Sequence, residues 1–230
     1  SVATWFAAHD IDFVIGPVIS APYLGAAATY EANEIVVQHF ASAFSATEPA
    51  KPFGFRAWAG AVGVLGGFYN LLADTGFWPG VETVYMLNPD NASGHETEPS
   101  VRNAILDCGF EVVGSDFLPY PADAPIVVEK ILAKNPDVID MGVLTTGHGA
   151  PLLGELYNRG YEGRITFVSA QPPGILVDLV GAEAVEGVVT WAGSPGAVSD
   201  EYDAFYNEYV ERYGEIPMEI AALHPYMAVY

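Results

Sequence analysis

Residues 82–115, ETVYMLNPDNASGHETEPSVRNAILDCGFEVVGS, hold the pattern on which the fold turns. Two short runs rich in β-branched and aromatic residues, 82–88 and 111–115, flank a longer helical stretch that stops at Gly109. Strand, helix and strand in that order are the parts of a βαβ unit. The same alternation extends in both directions, with further strand candidates at 12–16, 35–38, 137–143, 164–168 and 187–191. Repeated βαβ order predicts an α/β protein with mainly parallel sheets.

The clearest helix is Asp200–Tyr213. Ser199 is placed to cap it, Asp200 and Glu201 suit the positive end of its dipole, and Gly214 ends it. Tyr202, Phe205, Tyr206, Tyr209, Val210 and Tyr213 form one helical stripe and read as core. A boundary is expected at Pro79–Gly80, where a Gly- and Ala-rich first part gives way to regular alternation. A return crossing is expected at 191–199, interrupted by Gly193, Pro195 and Gly196. These divide the chain into a partial amino-terminal lobe at 1–78, a second lobe at 79–190, and a hinge crossing with return to the first lobe at 191–230.

Composition narrows the function. Eight Lys and Arg against 29 Asp and Glu leave a formal charge of −21, which repels nucleic-acid phosphates and anionic membranes. A nucleic-acid partner is therefore not expected. Cys108 is the only cysteine, so an internal disulfide is impossible, and its position before Gly109 reads as core packing. The uncharged stretch 57–73 carries glycines and reads as a helix packed inside a lobe, since a membrane span needs about 20 apolar residues. The chain begins at Ser1 and stops at Tyr230 within an apolar helical pattern, and is expected to lack both natural ends.

Catalytic motifs are not found. The five histidines, at 9, 39, 95, 148 and 224, form no HxxxH or HxH pair, so no metal is expected, and they read as single surface or loop residues. Residues 142–149 resemble a phosphate loop only in part, because His148 stands where Lys belongs. No GxGxxG or GxSxG pattern is complete, so neither a cofactor nor an enzyme activity is expected. The Asn91-Ala92-Ser93 sequon reads as a chance match.

Four strand ends lead instead into small polar residues and then helices, a geometry that offers free backbone N–H groups to an anion. They are Gly16-Pro17-Val18-Ile19-Ser20-Ala21-Pro22, with Pro22 expected as the first helical residue, and His39-Phe40-Ala41-Ser42-Ala43. In the second lobe they are Leu144-Thr145-Thr146-Gly147 and Val168-Ser169-Ala170-Gln171-Pro172. Two such loops per lobe predict a site in a cleft.

These loops, in order along nearly the whole chain, resemble the branched-chain amino acid binding proteins of ABC transporters. DFVIGPVISA (12–21) is similar to the family's strand, Gly-Pro loop and ligand-binding Ser, and FGFRAW (53–58) to its Phe-Arg segment. VYMLNPDNASGHE (84–96) is similar to the strand and turn that open the second lobe. GFEVVGSDFLP, NPDVIDMGV, GAEAVEGVVTWA and EYDAFYNEYVERYGEIP follow in the family's order.

The resemblance implies two Rossmann-like lobes joined by a hinge, the type I periplasmic binding fold, with a small molecule clamped between them. It implies a monomeric, periplasmic or lipid-anchored extracytoplasmic receptor that docks on an ABC transporter permease. By position, Ser20 and Ala21 match the first ligand loop, Ser42 and Ala43 the second, and Thr145, Thr146 and Gln171 the contacts of the second lobe. Ser93 replaces the family's aromatic lid residue, and the neutral Gln171 stands near where amino-acid binders place an acid for the ammonium, a role Asp90 is placed to take instead. The ligand expected is an amino acid or small carboxylate or amide, with an aromatic one suited to Phe40, Phe44, Trp58 and Trp191. The competing readings are a sensor domain of the same fold, such as an amide-type regulator, and an enzyme on a doubly wound sheet.

Overall fold

The computed structural model describes residues 1–57, 60–167, 173–190 and 200–214. The first part contains α1 (Val2–Ala8), β1 (Phe13–Ile15), α2 (Ser20–Ala32), β2 (Val36–His39), a 3-10 turn at Phe44–Ala46 and β3 (Gly54–Arg56). There follow α3 (Gly60–Thr75), β4 (Thr83–Pro89), α4 (Ala92–Asp107), β5 (Glu111–Leu118), α5 (Ala124–Leu132) and β6 (Val138–Asp140). The remainder is α6 (Thr146–Asn158), β7 (Arg164–Thr166), α7 (Pro173–Val180), α8 (Ala182–Val185), β8 (Val188–Val189) and α9 (Asp200–Tyr213). The strands build two wholly parallel sheets, one in the order β1-β2-β3 and one in the order β5-β4-β6-β7-β8.

The order of the second sheet is that of a doubly wound fold with its switch point between β4 and β6. Alternate residues of β4 enter two cores because helices cover both faces. Tyr85 and Leu87 meet Ile139, Met141, Phe167 and the buried faces of α5 and α6. Val84 and Met86 meet Leu65, Tyr69 and Leu72 of α3 and Val101 and Ile105 of α4. Gly149 is required by this packing: a Cβ there would overlap the ring of the fully buried Phe167. Gly94 likewise admits the first turn of α4 against the Pro89 carbonyl, where a Cβ has no room.

The first sheet is smaller. Ala3 of α1 and Tyr23, Ala27 and Tyr30 of α2 pack on Ile35 and Val37, while Phe13, Ile15 and Phe55 stand exposed on the opposite face.

Two expectations are corrected, and one strand is added. Helix α3 was expected on the first-lobe side of a boundary at Pro79–Gly80, yet its buried face joins the second sheet, so that body begins before residue 79. Its apolar stripe found the larger partner. Helix α2 begins at Ser20, two residues before Pro22. Strand β3 has no signature in the sequence, because three residues, Gly54 included, carry too little alternation. Helix α9 has its expected bounds, whereas its cap Ser199 and the crossing 191–199 lie outside the described residues. Cys108 caps α4 and packs partly buried against the second core, its thiol donating to Asn70 Oδ1 at 3.3 Å.

Candidate functional site

The carboxyl ends of the two sheets meet. Ser45, in the 3-10 turn that follows β2, donates its backbone N–H to Glu96 Oε2 at 2.7 Å and its hydroxyl to Glu96 Oε1 at 2.6 Å. Glu96 lies on α4, which leaves the carboxyl end of β4. One carboxylate thus ties the loop edge of the first sheet to the loop edge of the second.

In the first lobe, β1 hands over to α2 through Gly16–Ile19, and Ser20 opens the helix. Ser20 is buried, and its Oγ accepts the backbone N–H of Ser42 at 2.9 Å and of Ala43 at 3.1 Å. The two loops expected to grip a ligand are therefore joined to each other, and the Ser42 and Ala43 N–H groups are already used. Ala21 is exposed in the first turn of α2, where backbone N–H groups have no intrahelical partner. His39 closes β2. It is fully buried, stacks on Tyr23 at 3.8 Å, and accepts the Ala41 N–H on Nδ1 at 3.2 Å.

In the second lobe, Ser93 lies partly buried in the first turn of α4, whose cap is the Asn91 side chain accepting from Gly94 N at 3.2 Å. The sequon asparagine thus serves as a cap. Asp90, considered for an ammonium, is paired with His95 Nε2 at 2.7 Å, and the His95 ring stacks on Phe117.

Thr145 is exposed as the cap residue of α6, and Thr146 is half-buried as its first residue. Beneath them is His148, whose Nδ1 lies 3.2 Å from Thr145 Oγ1 and whose pKa is lowered by burial. His39 and His148 are both buried, which corrects the expectation of surface or loop histidines. Tyr120, after β5, is 69% exposed and sets its ring edge-on to His148 at 4.7 Å. It stands beside Gly147 at the amino end of α6, an aromatic at this edge where Ser93 leaves none. Nothing in the local sequence distinguished Tyr120, because the residue sits between two prolines in a loop of turn-forming type.

Behind these loops Asp140 ends β6 at the switch point. Burial raises its pKa, while Tyr69 Oη at 2.8 Å, Gly142 N at 2.6 Å and Thr166 Oγ1 at 3.1 Å all donate to its carboxyl. That network anchors α3 to the sheet and leaves Asp140 no access to solute.

Trp58, Gln171 and Trp191 lie outside the described residues, and Phe40 is buried. Among the described residues, no group of three or more His, Cys, Asp or Glu is arranged to hold a metal, and no helix is long and apolar enough to cross a membrane. A hollow of about 430 Å³ lined by Val81, Asn135, Asp137 and Tyr161 lies at the amino edge of the second sheet, away from these loops. Its acid, Asp137, is held below the usual carboxylate range by Thr83, and it secures β4 to β6.

A comparison with curated proteins found no match. Among solved structures, the chain is similar to a leucine binding protein from Thermotoga maritima, at 22% identity and a TM-score of 0.82 over 96% of this chain and 64% of that one. It is similar to an ABC transporter substrate-binding protein from Desulfitobacterium hafniense in complex with Leu, at 19% identity and a TM-score of 0.76, covering 97% of this chain and 64% of that one. A third is a solute binding protein from R. palustris in complex with benzoate, at 16% identity and a TM-score of 0.78, covering 94% and 60%. The chain therefore spans about three-fifths of the length of these proteins, and the likeness establishes the two-lobed type I fold. A family model described as periplasmic binding protein matches residues 1–230. Matched from its first residue to its last, this chain belongs to the periplasmic binding protein family.

Proposed function

We propose that this chain is the solute-capturing part of an extracytoplasmic receptor of an ABC importer. It closes two lobes on an amino acid or related small carboxylate and presents the closed form to a membrane permease. The observation that carries this reading is the bond from Ser45 to Glu96, which brings the loop edges of two parallel sheets together. Ligands of open α/β sheets bind outside the carboxyl ends of strands, and a second sheet facing that edge makes the crevice a clamp.

The named loops have distinct parts in this reading. Ser20 holds the second loop in place, while Ala21, at the amino end of α2, offers an unpaired N–H position. Ser42 and Ser93, both partly exposed, line the approach with the buried Ala43 behind them, and Thr145 and Thr146 present hydroxyls from α6. Tyr120 covers the solute from the second lobe. Solute bound more tightly by the closed arrangement shifts the population toward it, and no bond in the solute need change. Relatives of this fold in complex with Leu and with benzoate support a carboxylate as the shared feature of the solute.

The test is a thermal-shift screen against amino acids, amides, aliphatic acids and aromatic acids. A solute present at 100 times its Kd stabilises the native state by about 2.7 kcal/mol and raises Tm. A rise confined to one class establishes binding and names the class. No rise in any of the four ends the reading.

A further inference from the structure

Two of the backbone donors expected to hold an anion, the N–H groups of Ser42 and Ala43, are taken up by Ser20 Oγ. Donors without partners stand one layer further in. His39 Nε2 and Arg56 Nη1 are both buried and neither has a hydrogen-bond partner among the described residues. The two residues face each other in register on β2 and β3, so their side chains leave the sheet on the same side. The Nδ1 of His39 accepts from Ala41, which puts the ring hydrogen on Nε2 and makes that atom a donor.

The surroundings add positive potential. Gly60 begins α3, and a Cβ built on it would lie 3.4 Å from Arg56 Cζ and Nη1, so the guanidinium rests against the amino end of a 16-residue helix. That end carries orphan N–H groups and the positive pole of the dipole. Lys51 is near enough to act on His39 through its charge, and donates to the carbonyls of Ser45 and Pro49. The neighbouring acid, Glu31, accepts the Phe53 N–H. Among the described residues Arg102, Lys130, Arg159 and Arg212 are ion-paired, whereas Arg56, Lys51, Lys134 and Arg164 are not, and of these four only Arg56 has a buried nitrogen without a partner. Burying donors and a cation without an acceptor is costly, and an anion removes that cost.

We propose that His39, Arg56 and the amino end of α3 form an anion site at the junction of the first sheet with the second body. It accepts a carboxylate oxygen of the captured solute or a small inorganic anion. The carboxylate arm rests on the function proposed above; the inorganic arm does not.

The test is calorimetric titration and thermal shift of the full chain with benzoate, benzamide, L-leucine and chloride, the last at constant ionic strength. Arg56→Met, Arg56→Lys and His39→Leu are compared with the unaltered chain, with circular dichroism as the check on folding. The expected result is that benzoate or L-leucine binds, benzamide binds at least tenfold more weakly than benzoate, and Arg56→Met loses at least tenfold in carboxylate affinity. Arg56→Lys retains more of it. Stabilisation by chloride alone, abolished in Arg56→Met, upholds the inorganic anion site and overturns its carboxylate arm. Equal affinity for benzoate and benzamide upholds solute capture and overturns the anion site, as does a folded Arg56→Met that binds like the unaltered chain. If Arg56→Met does not fold, the benzoate and benzamide comparison and Arg56→Lys decide. No response to any probe overturns the anion site.

Discussion

Ser20 Oγ accepts the backbone N–H of Ser42 at 2.9 Å across 22 residues of sequence, and so the first loop of the lobe fixes the second. The oxygen of this hydroxyl is buried and accepts twice, which makes it an internal strut. The consequence is a stability role. Ser20→Ala leaves two N–H groups of a buried loop unpaired and is expected to cost about 1–3 kcal/mol, read as a lower midpoint in urea. An unchanged midpoint would mean that the strut is not formed in solution.

The Ser45 and Glu96 pair is a charge-assisted link between elements of the two sheets. In a double-mutant cycle of Ser45→Ala and Glu96→Gln, a coupling of about 1 kcal/mol is expected, because neighbours that share a hydrogen bond are not additive. Ser45→Ala removes only the hydroxyl bond, so the N–H bond persists and the coupling stays modest. Additive losses would show that the sheet edges do not meet in this way.

His39 gives the native state a dependence on pH. Burial, then the charges of Arg56 and Lys51, lower its pKa from 6.5 to about 4. Between those values the unfolded chain binds the proton and the folded one does not, so acidification through this window destabilises the protein. His39→Gln is expected to flatten the loss of urea stability between pH 6.5 and pH 4, measured without carboxylate buffers. Identical slopes for the two proteins would place the titrating group elsewhere.

Gly149 sits where a Cβ would overlap Phe167. Gly149→Ala improves helix propensity by about 1 kcal/mol, but it inserts a methyl into a filled core at a cost of about 1–3 kcal/mol. Net destabilisation is expected from thermal unfolding. A rise in Tm would show that the Phe167 ring moves aside freely.

The chain's own letters determined a great deal that is local. The alternation in 82–115 prescribes β4, α4 and β5, because a strand buried on both faces and a helix with one apolar stripe have different periods. The end of α9 at Tyr213 followed from Gly214, whose φ of 72° suits a residue without Cβ. The loops at Ser20 and Thr145 were legible as strand-to-helix junctions for the same local reason, whereas the loop at Ser42, expected to be another, runs into a 3-10 turn and then β3.

Only the tertiary structure decided what those junctions do. Whether the Ser20 hydroxyl faces solute or the Ser42 N–H depends on the distance between β1 and β2, which sequence separation does not specify. The apolar face of α3 could have packed on either sheet, and the larger core took it. Glu96, His39 and Arg56 looked like ordinary polar residues along the chain. Their significance arises from register and burial: two strands set His39 opposite Arg56, the fold withdraws both from water, and hydrogen bonds are then scarce enough that an unpaired donor matters.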